Sequence, residues 1–260
     1  MLQEVYGIFG FTFNLMLSTR PEKYEGEIAV WDKAEFALKK CLNKFFIETL
    51  KNQQSYGINE GDGAFYGPKI DIELMDALKR KYQCGTIQLD FQLPEKFKLK
   101  YKTSGDGFER PCIIHRAILG SVERMMAVLI EHTGGKWPFW LSPRQIIIIP
   151  VHTENNLPYA NEVANLIQKA GNYYVDVDNS TDQLSKKVRN AQLQQYNFIL
   201  VVGASDQQEK MVTVRERGDM QMINIANGSS VEENAQNNKP YQIPITVFLD
   251  KLTILIKEYK

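Results

Sequence analysis

The chain has 260 residues, 43% apolar and 24% charged, which makes it globular and long enough for two domains of ordinary size. Its 31 basic residues balance 31 acidic ones, and the part after Trp140 holds 12 against 13, so net charge singles out no polyanionic partner. No apolar run, 146–151 and 198–202 included, approaches the ~20 residues of a membrane helix. Residues 1–4 lack the marks of a secretory signal, and three scattered cysteines (Cys41, Cys84, Cys112) fit a reducing, cytoplasmic compartment better than a disulfide framework.

No repeat of fixed period is present, which excludes solenoids and propellers. Trp31, Ala34, Leu38, Cys41, Leu42 and Phe45 recur at helical spacing between charged residues and predict an amphipathic helix with one buried face. Over 69–74 the period falls to two, with Ile70, Ile72 and Leu74 on one face and Lys69, Asp71 and Glu73 on the other. Residues 86–91 and 111–114 read as strands, with a polar, glycine-containing turn at 103–107 between them. Ser121 is the expected N-cap of a helix over 121–132, stopped by Gly134 and Gly135. Strands gathered ahead of a helix predict an α+β domain with an antiparallel sheet.

Residues 137–143 carry three aromatics, two prolines and no period, and mark a boundary that divides the chain into domains 1–140 and 141–260. Beyond it, 146–149 reads as a buried strand. Pro158 is expected to open a helix carrying Val163, Leu166, Ile167 and Ala170, with Gly171 as its C-terminal cap. Residues 173–177 read as a strand, 182–196 as a helix and 198–202 as an apolar strand, an alternation that predicts parallel strands with right-handed crossovers. Residues 211–217 alternate, Val212 and Val214 inward, Thr213, Arg215 and Arg217 outward. Residues 227–240 are polar and expected to be mobile. A last helix carries Ile245, Phe248, Leu249, Leu252, Leu255, Ile256 and Tyr259 as a wide apolar stripe that must dock on the sheet.

The glycine-rich residues 60–68 are not followed by Lys-Ser/Thr and lack the spacing of a dinucleotide loop. They read as a tight turn into the next strand, or as glycines that let the backbone approach a ligand while Tyr66 points at it. A Cys112–His115 metal clip fails on strand parity, since residues three apart face opposite sides. His115 is then a hydrogen-bonded core histidine, or a ligand whose partners lie elsewhere. His132 sits in a last helical turn, where a cation suits the dipole, and His152 lies past a strand end. Arg124 works against the helix dipole in a first turn; an anionic or aromatic ligand would account for it, and so would a salt bridge to Glu123. Lys186, Lys187 and Arg189 on one helix, and Arg215 and Arg217 on one strand face, read as solvated faces or as an RNA phosphate site. No nucleophile elbow or Ser-His-Asp arrangement has supporting context.

Several stretches together resemble the threonyl-tRNA synthetases, class II ligases. They are Gly61-Asp62-Gly63-Ala64-Phe65-Tyr66-Gly67-Pro68-Lys69, Gln83-Cys84-Gly85-Thr86-Ile87-Gln88-Leu89-Asp90-Phe91, and Ile114-His115-Arg116-Ala117-Ile118-Leu119-Gly120-Ser121-Val122-Glu123-Arg124, with Leu17-Ser18-Thr19-Arg20-Pro21-Glu22 and residues 140–143 in support. The resemblance runs almost end to end. In residues 186–190 and 196–198 it is greatest to eukaryotic cytosolic members. It implies an α+β portion of a class II catalytic domain, an antiparallel sheet with helices, followed by an α/β anticodon-binding domain with a mixed sheet in three layers. The implied activity joins threonine to ATP, supplied with Mg2+, and passes the threonyl group to tRNA-Thr.

By the same resemblance Tyr66, Gln88 and Ser121 bind threonine, while Lys69, Gln83, Thr86 and Arg124 contact ATP. His115 would be the third protein ligand of a zinc ion that binds the amino and hydroxyl groups of threonine; a ligating hydroxyl separates threonine from isosteric valine better than packing alone. Arg189, Asp206 and Arg215 would meet the anticodon, Asp206 standing where the family has glutamate. The family's motifs 1 and 2, its other two zinc ligands, its dimer-forming segment and its editing domain have no counterpart in these residues. The chain alone is therefore expected to be a fragment of a homodimeric enzyme, without zinc and inactive by itself. A non-catalytic tRNA-binding module and another class II synthetase, such as a prolyl or histidyl type, are the alternatives.

Overall fold

In the computed structural model, which describes residues 1–50, 56–75, 79–218 and 239–260, the chain divides into Met1–Gly135 and Lys136–Lys260. The first unit is built from α1 (Leu2–Ile8), β1 (Thr12–Ser18), α2 (Ile28–Lys44), β2 (Gly57–Asn59), β3 (Lys69–Met75), β4 (Lys81–Asp90), α3 (Gln92–Lys96), the small hairpin β5 (Tyr101–Lys102) and β6 (Phe108–Glu109), β7 (Ile113–Ala117) and α4 (Val122–Thr133). Its main sheet has the order β2-β1-β3-β4-β7. All neighbours are antiparallel except β1 and β2, which are joined through α2; that long connection permits a parallel pair and makes the sheet mixed.

Alternation decides the two faces. Leu15, Leu17, Ile70, Ile72 and Leu74 are buried on one, as the period of two requires. The other is polar, but not simply solvated: Asp71, expected outward, is 1% exposed. Helix α2 buries Trp31, Ala34, Leu38 and Leu42, whereas Cys41 is exposed and Phe45 lies past the helix end, with Phe46 buried in its stead. Strand β4 starts five residues before the expected position, and β7 runs later than 111–114, so His115 is central in its strand rather than terminal. Helix α4 follows its signals: the Ser121 hydroxyl accepts from the Arg124 amide at 3.1 Å, and Gly134 ends the helix at φ 60°.

The second unit comprises β8 (Ile146–Pro150), α5 (Thr153–Ala170), β9 (Val175–Val177), α6 (Leu184–Leu193), β10 (Phe198–Val202), α7 (Ala204–Glu209), β11 (Met211–Glu216), β12 (Tyr241–Pro244) and α8 (Ile245–Lys257). The sheet order is β12-β11-β10-β8-β9, with β9, β8 and β10 parallel and β11 and β12 antiparallel. Ile146, Ile148, Phe198, Leu200 and Val202 pack with α5 and α8, while Ile147, Ile149, Ile199 and Val201 pack on the opposite face with Ala191 of α6. Three layers result. No described helix is long and apolar enough to cross a membrane.

Several local expectations need correction. Helix α5 begins at Thr153, with Pro158 inside it; Pro158 and Glu154, whose carbonyl loses its intrahelical partner, are both exposed. Gly171 is extended at φ −178° and is no left-handed cap; a Cβ there would meet the Tyr173 ring at 2.6 Å. Strand β9 and helix α6 are shorter than 173–177 and 182–196. Lys187 is buried, not part of a solvated face, with Nζ donating to Thr153 Oγ1 at 2.8 Å and lying 3.8 Å from Asp178. Tyr259 lies beyond α8 and is exposed. The expectation for 227–240 falls almost wholly outside the described residues.

Candidate functional site

The polar face of the first sheet collects most of the candidate residues. Register sets Lys69 opposite Gln88, Asp71 opposite Thr86 and Glu73 opposite Gln83, and Gln88 in turn opposite His115. Simple alternation would put Gln83 on the face away from Thr86 and Gln88. It does not, because Ile72 pairs with Gly85 while Glu73 pairs with Gln83, leaving Cys84 as the extra residue of a β-bulge. The bulge restores Gln83 to the common face. A Cβ on Gly85 would lie 2.6 Å from the Tyr6 hydroxyl and 3.0 Å from the Ile118 carbonyl, so the irregular strand needs glycine there.

Beside this face lies a cavity of about 340 Å³ bordered by Phe65, Tyr66, Gln88, Asp90, Gln92, Leu93, Lys96 and His115. The His115 ring bonds through Nε2 to Asp90 Oδ2 at 2.8 Å. Asp90 also accepts from the backbone amides of Gln92 (2.8 Å) and Leu93 (2.9 Å). Burial alone would raise its carboxyl; the His115 bond and the two amides outweigh burial and hold it below the ordinary carboxylate value. With Nε2 turned to Asp90, Nδ1 is the nitrogen left to a ligand. The Tyr66 ring stands edge-on to His115 with centroids 6.0 Å apart, and its hydroxyl donates to Gln88 Oε1. Burial, then the charge of Asp90, push the Tyr66 phenol upward against a smaller pull from Lys69, so it stays neutral.

Lys69 Nζ lies 2.9 Å from Asp71 and 3.2 Å from Asp62. Burial would lower its ammonium, but the bonds to Asp71 and Asp62 raise it on balance, and the cation is fixed. Arg124 Nη1 donates to the Gln83 carbonyl at 3.0 Å, so that carbonyl, and not Glu123, steers it, and the side chain is otherwise exposed. Tyr66, Gln88 and His115 thus share the cavity; Lys69, Thr86 and Gln83 continue along the face, and Arg124 is tied to it. Ser121 does not border the cavity, and its hydroxyl caps α4.

Sequence reasoning missed Ser18, Asp71 and Asp90, which hold the site residues. Asp90 had a signal, the parity it shares with Thr86 and Gln88. Among the described residues no group of three or more His, Cys, Asp or Glu side chains could hold a metal ion. His115 has one nitrogen committed to Asp90, and Cys112 is exposed, outside β7. These residues alone do not fit a zinc ion, which needs three or four protein ligands.

In the second unit Arg189 is exposed on α6. Asp206 is buried, accepting from the Gly203 amide at 2.8 Å through Oδ2, and from Gln242 Nε2 at 2.7 Å and the Thr213 hydroxyl at 3.4 Å through Oδ1. Arg215 borders a cavity of about 190 Å³ with Gln192, Tyr196 and Arg217, and its buried Nε has no hydrogen-bond partner in the structure. Neither Arg189 nor Asp206 borders that cavity.

Comparison with known proteins accords with this division. Residues 4–133 match the tRNA synthetase class II core domain (G, H, P, S and T), and residues 145–237 the anticodon binding domain. The cytoplasmic threonine–tRNA ligase of Saccharomyces cerevisiae is 52% identical over 89% of this chain and 31% of its own length. The probable threonine–tRNA ligase 1 of Dictyostelium discoideum, named cytoplasmic, is 57% identical over 84% of this chain and 30% of its own. A crystal structure of the RNA binding domain of threonyl-tRNA synthetase from Cryptosporidium parvum Iowa II aligns with a TM-score of 0.83 and 44% identity, covering 98% of this chain and 57% of that one. The chain spans about three tenths of the length of the curated relatives it matches. By its core and anticodon-binding sequences it belongs to the class II tRNA synthetases, and its two parts match the catalytic and anticodon-binding domains of threonine–tRNA ligases.

Proposed function

We propose that this chain supplies, within a cytoplasmic threonine–tRNA ligase, the threonine and ATP seats of the catalytic domain together with the domain that reads the tRNA-Thr anticodon. In that reaction the threonine carboxylate attacks the α-phosphate of Mg2+-bound ATP, pyrophosphate leaves, and the adenylate then gives its threonyl group to the tRNA 3′ end with release of AMP. One observation carries the reading: Lys69, Gln83, Thr86, Gln88 and His115 share one sheet face beside a cavity of about 340 Å³. Tyr66 and Gln88 take the amino group of threonine there, with Ser121 as a more distant member of the site. Lys69, balanced by two carboxylates, is a fixed cation for phosphate oxygens. Arg124, tethered at one nitrogen, keeps its planar guanidinium available for stacking on adenine, and Gln83 and Thr86 complete the nucleotide contacts.

Zinc belongs in this reading to the full-length, homodimeric parent, with His115 as one ligand and the others supplied from outside the described residues. The domains divide near residue 140. Arg189, Asp206 and Arg215 serve the anticodon side, Arg215 through its buried, unpartnered Nε and Asp206 by holding the loop and strand around it. The chain by itself binds without turnover. Identity above half to threonine ligases favours threonine over the substrates of other class II enzymes.

Replacing the corresponding segment of the yeast cytoplasmic ligase with this chain tests the reading. The chimera is expected to exchange pyrophosphate into ATP with threonine and not with proline or histidine, and to lose exchange on His115→Ala. A soluble chimera that stays inert, or that activates another amino acid, overturns it.

A further inference from the structure

We propose that Asp71 is a positioning residue that sets the direction of the hydrogen bonds entering the amino-acid cavity, so that Tyr66 meets its ligand as an acceptor for an ammonium group. The inference rests on the proposed reading of that cavity as an amino-acid seat. Asp71 is 1% exposed and lies opposite Thr86 on the site face. An ionised carboxylate can only accept. Its Oδ2 takes the Ser18 hydroxyl at 2.7 Å and Lys69 Nζ at 2.9 Å, and its Oδ1 takes the Thr86 hydroxyl at 3.1 Å.

With its one proton committed to Asp71, the Thr86 oxygen has only lone pairs to offer its other neighbour. It accepts from Gln88 Nε2 at 3.2 Å. That fixes the orientation of the Gln88 amide, nitrogen toward Thr86 and Oε1 toward Tyr66, whose hydroxyl donates to it. Tyr66 also has a single proton, and it is committed to Gln88. What remains for the cavity is the lone pairs of the phenol oxygen, next to the Asp90 carboxylate, while Lys96, the cation of the lining, is paired with Glu25 at 3.0 Å. A ligand ammonium is matched to this surface and a ligand acceptor is not.

Asn in place of Asp71 would reverse the logic. Its amide can donate to Thr86, freeing the Thr86 proton for Gln88 Oε1. The Gln88 amide then turns over, its nitrogen donates to Tyr66, and the Tyr66 proton points at the ammonium. Thr86→Val removes the middle member of the relay without changing side-chain volume much, and leaves the buried carboxylate in place.

Two readouts on the whole chain test this. With tyrosine labelled at 13Cζ, and Tyr66 assigned through Tyr66→Phe, the Tyr66 resonance is expected to move upfield in Asp71→Asn as its hydroxyl ceases to donate, and less far in Thr86→Val, where the Gln88 amide is released to both orientations. Affinities for L-threonine and for 3-hydroxybutanoate, the same molecule without its amino group, give the consequence. The wild-type chain is expected to prefer threonine by about tenfold or more, the worth of one charge-assisted hydrogen bond, and both variants to bring the ratio toward unity. A wild-type chain without preference contradicts the amino-acid reading of the cavity. A Tyr66 resonance unmoved by either variant, or a preference kept in both, contradicts the role of Asp71.

Discussion

Asp90 shows at the scale of one residue how the site is held. Its carboxylate accepts from His115 and from two backbone amides, and these bonds overcome burial to keep its pKa below the ordinary value. A lowered folded value means that the stabilisation is whole above the unfolded pKa and is lost as the pH falls through the folded one. Urea unfolding of the wild type and Asp90→Asn is therefore expected to show a gap in stability at neutral pH that closes below about pH 4; a gap constant with pH contradicts the ionised role. Tyr66, Gln88 and His115 were legible because their sequence neighbours resemble a known family. Asp71 was legible only as a member of a face. Alternation states which residues point together but not whether that side is open to water, and here Ser18, Lys69 and Thr86 converge on it.

Among the elements, the cap and stop of one helix matched expectation, while the proline and glycine signals of α5 and the bulge in β4 did not. Helix α4 carries its own cap and stop, so both ends could be read from Ser121 and Gly134. Ser121→Ala is expected to cost about 1 kcal/mol of stability in thermal unfolding, with Ser121→Asp recovering most of it; an unchanged stability would show that the cap bond contributes nothing. The β-bulge at Cys84 left no trace in the alternation, because it depends on the approach of Tyr6 and Ile118 to Gly85. Pro158 misled because it lies on the exposed side of α5, where the hydrogen bond it cannot make costs less than in a buried turn. Helix α8 was legible by its stripe, but not the ion pair it buries. Lys251 Nζ, 6% exposed, meets Glu216 of β11 and the Tyr241 hydroxyl of β12 at 3.0 Å. Lys251→Met leaves that carboxylate buried and unpaired, and is expected to cost about 3 kcal/mol or more in urea unfolding, most of it recovered when Glu216→Leu is added. A cost below about 1 kcal/mol would mean that water reaches the pair.

For the whole molecule, two sheets divide the work by the polarity of their faces. The second is buried on both sides by helices, and its run of apolar strands at 146–150 and 198–202 announced this in the sequence. The first buries one face and leaves the other polar, and that face gathers residues from β1, β3, β4 and β7, so far apart in the chain that only register reveals them as neighbours. The binding of threonine on that face is the central claim. L-threonine titrated into the 15N- and 13C-labelled chain, with 3-hydroxybutanoate as the comparison that lacks the amino group, tests it most directly. The expected result is saturable shifts at Tyr66, Gln88, Asp90 and His115 that are much weaker with 3-hydroxybutanoate. Shifts confined to the second unit, equal responses to the two compounds, or no response at those four residues would contradict it.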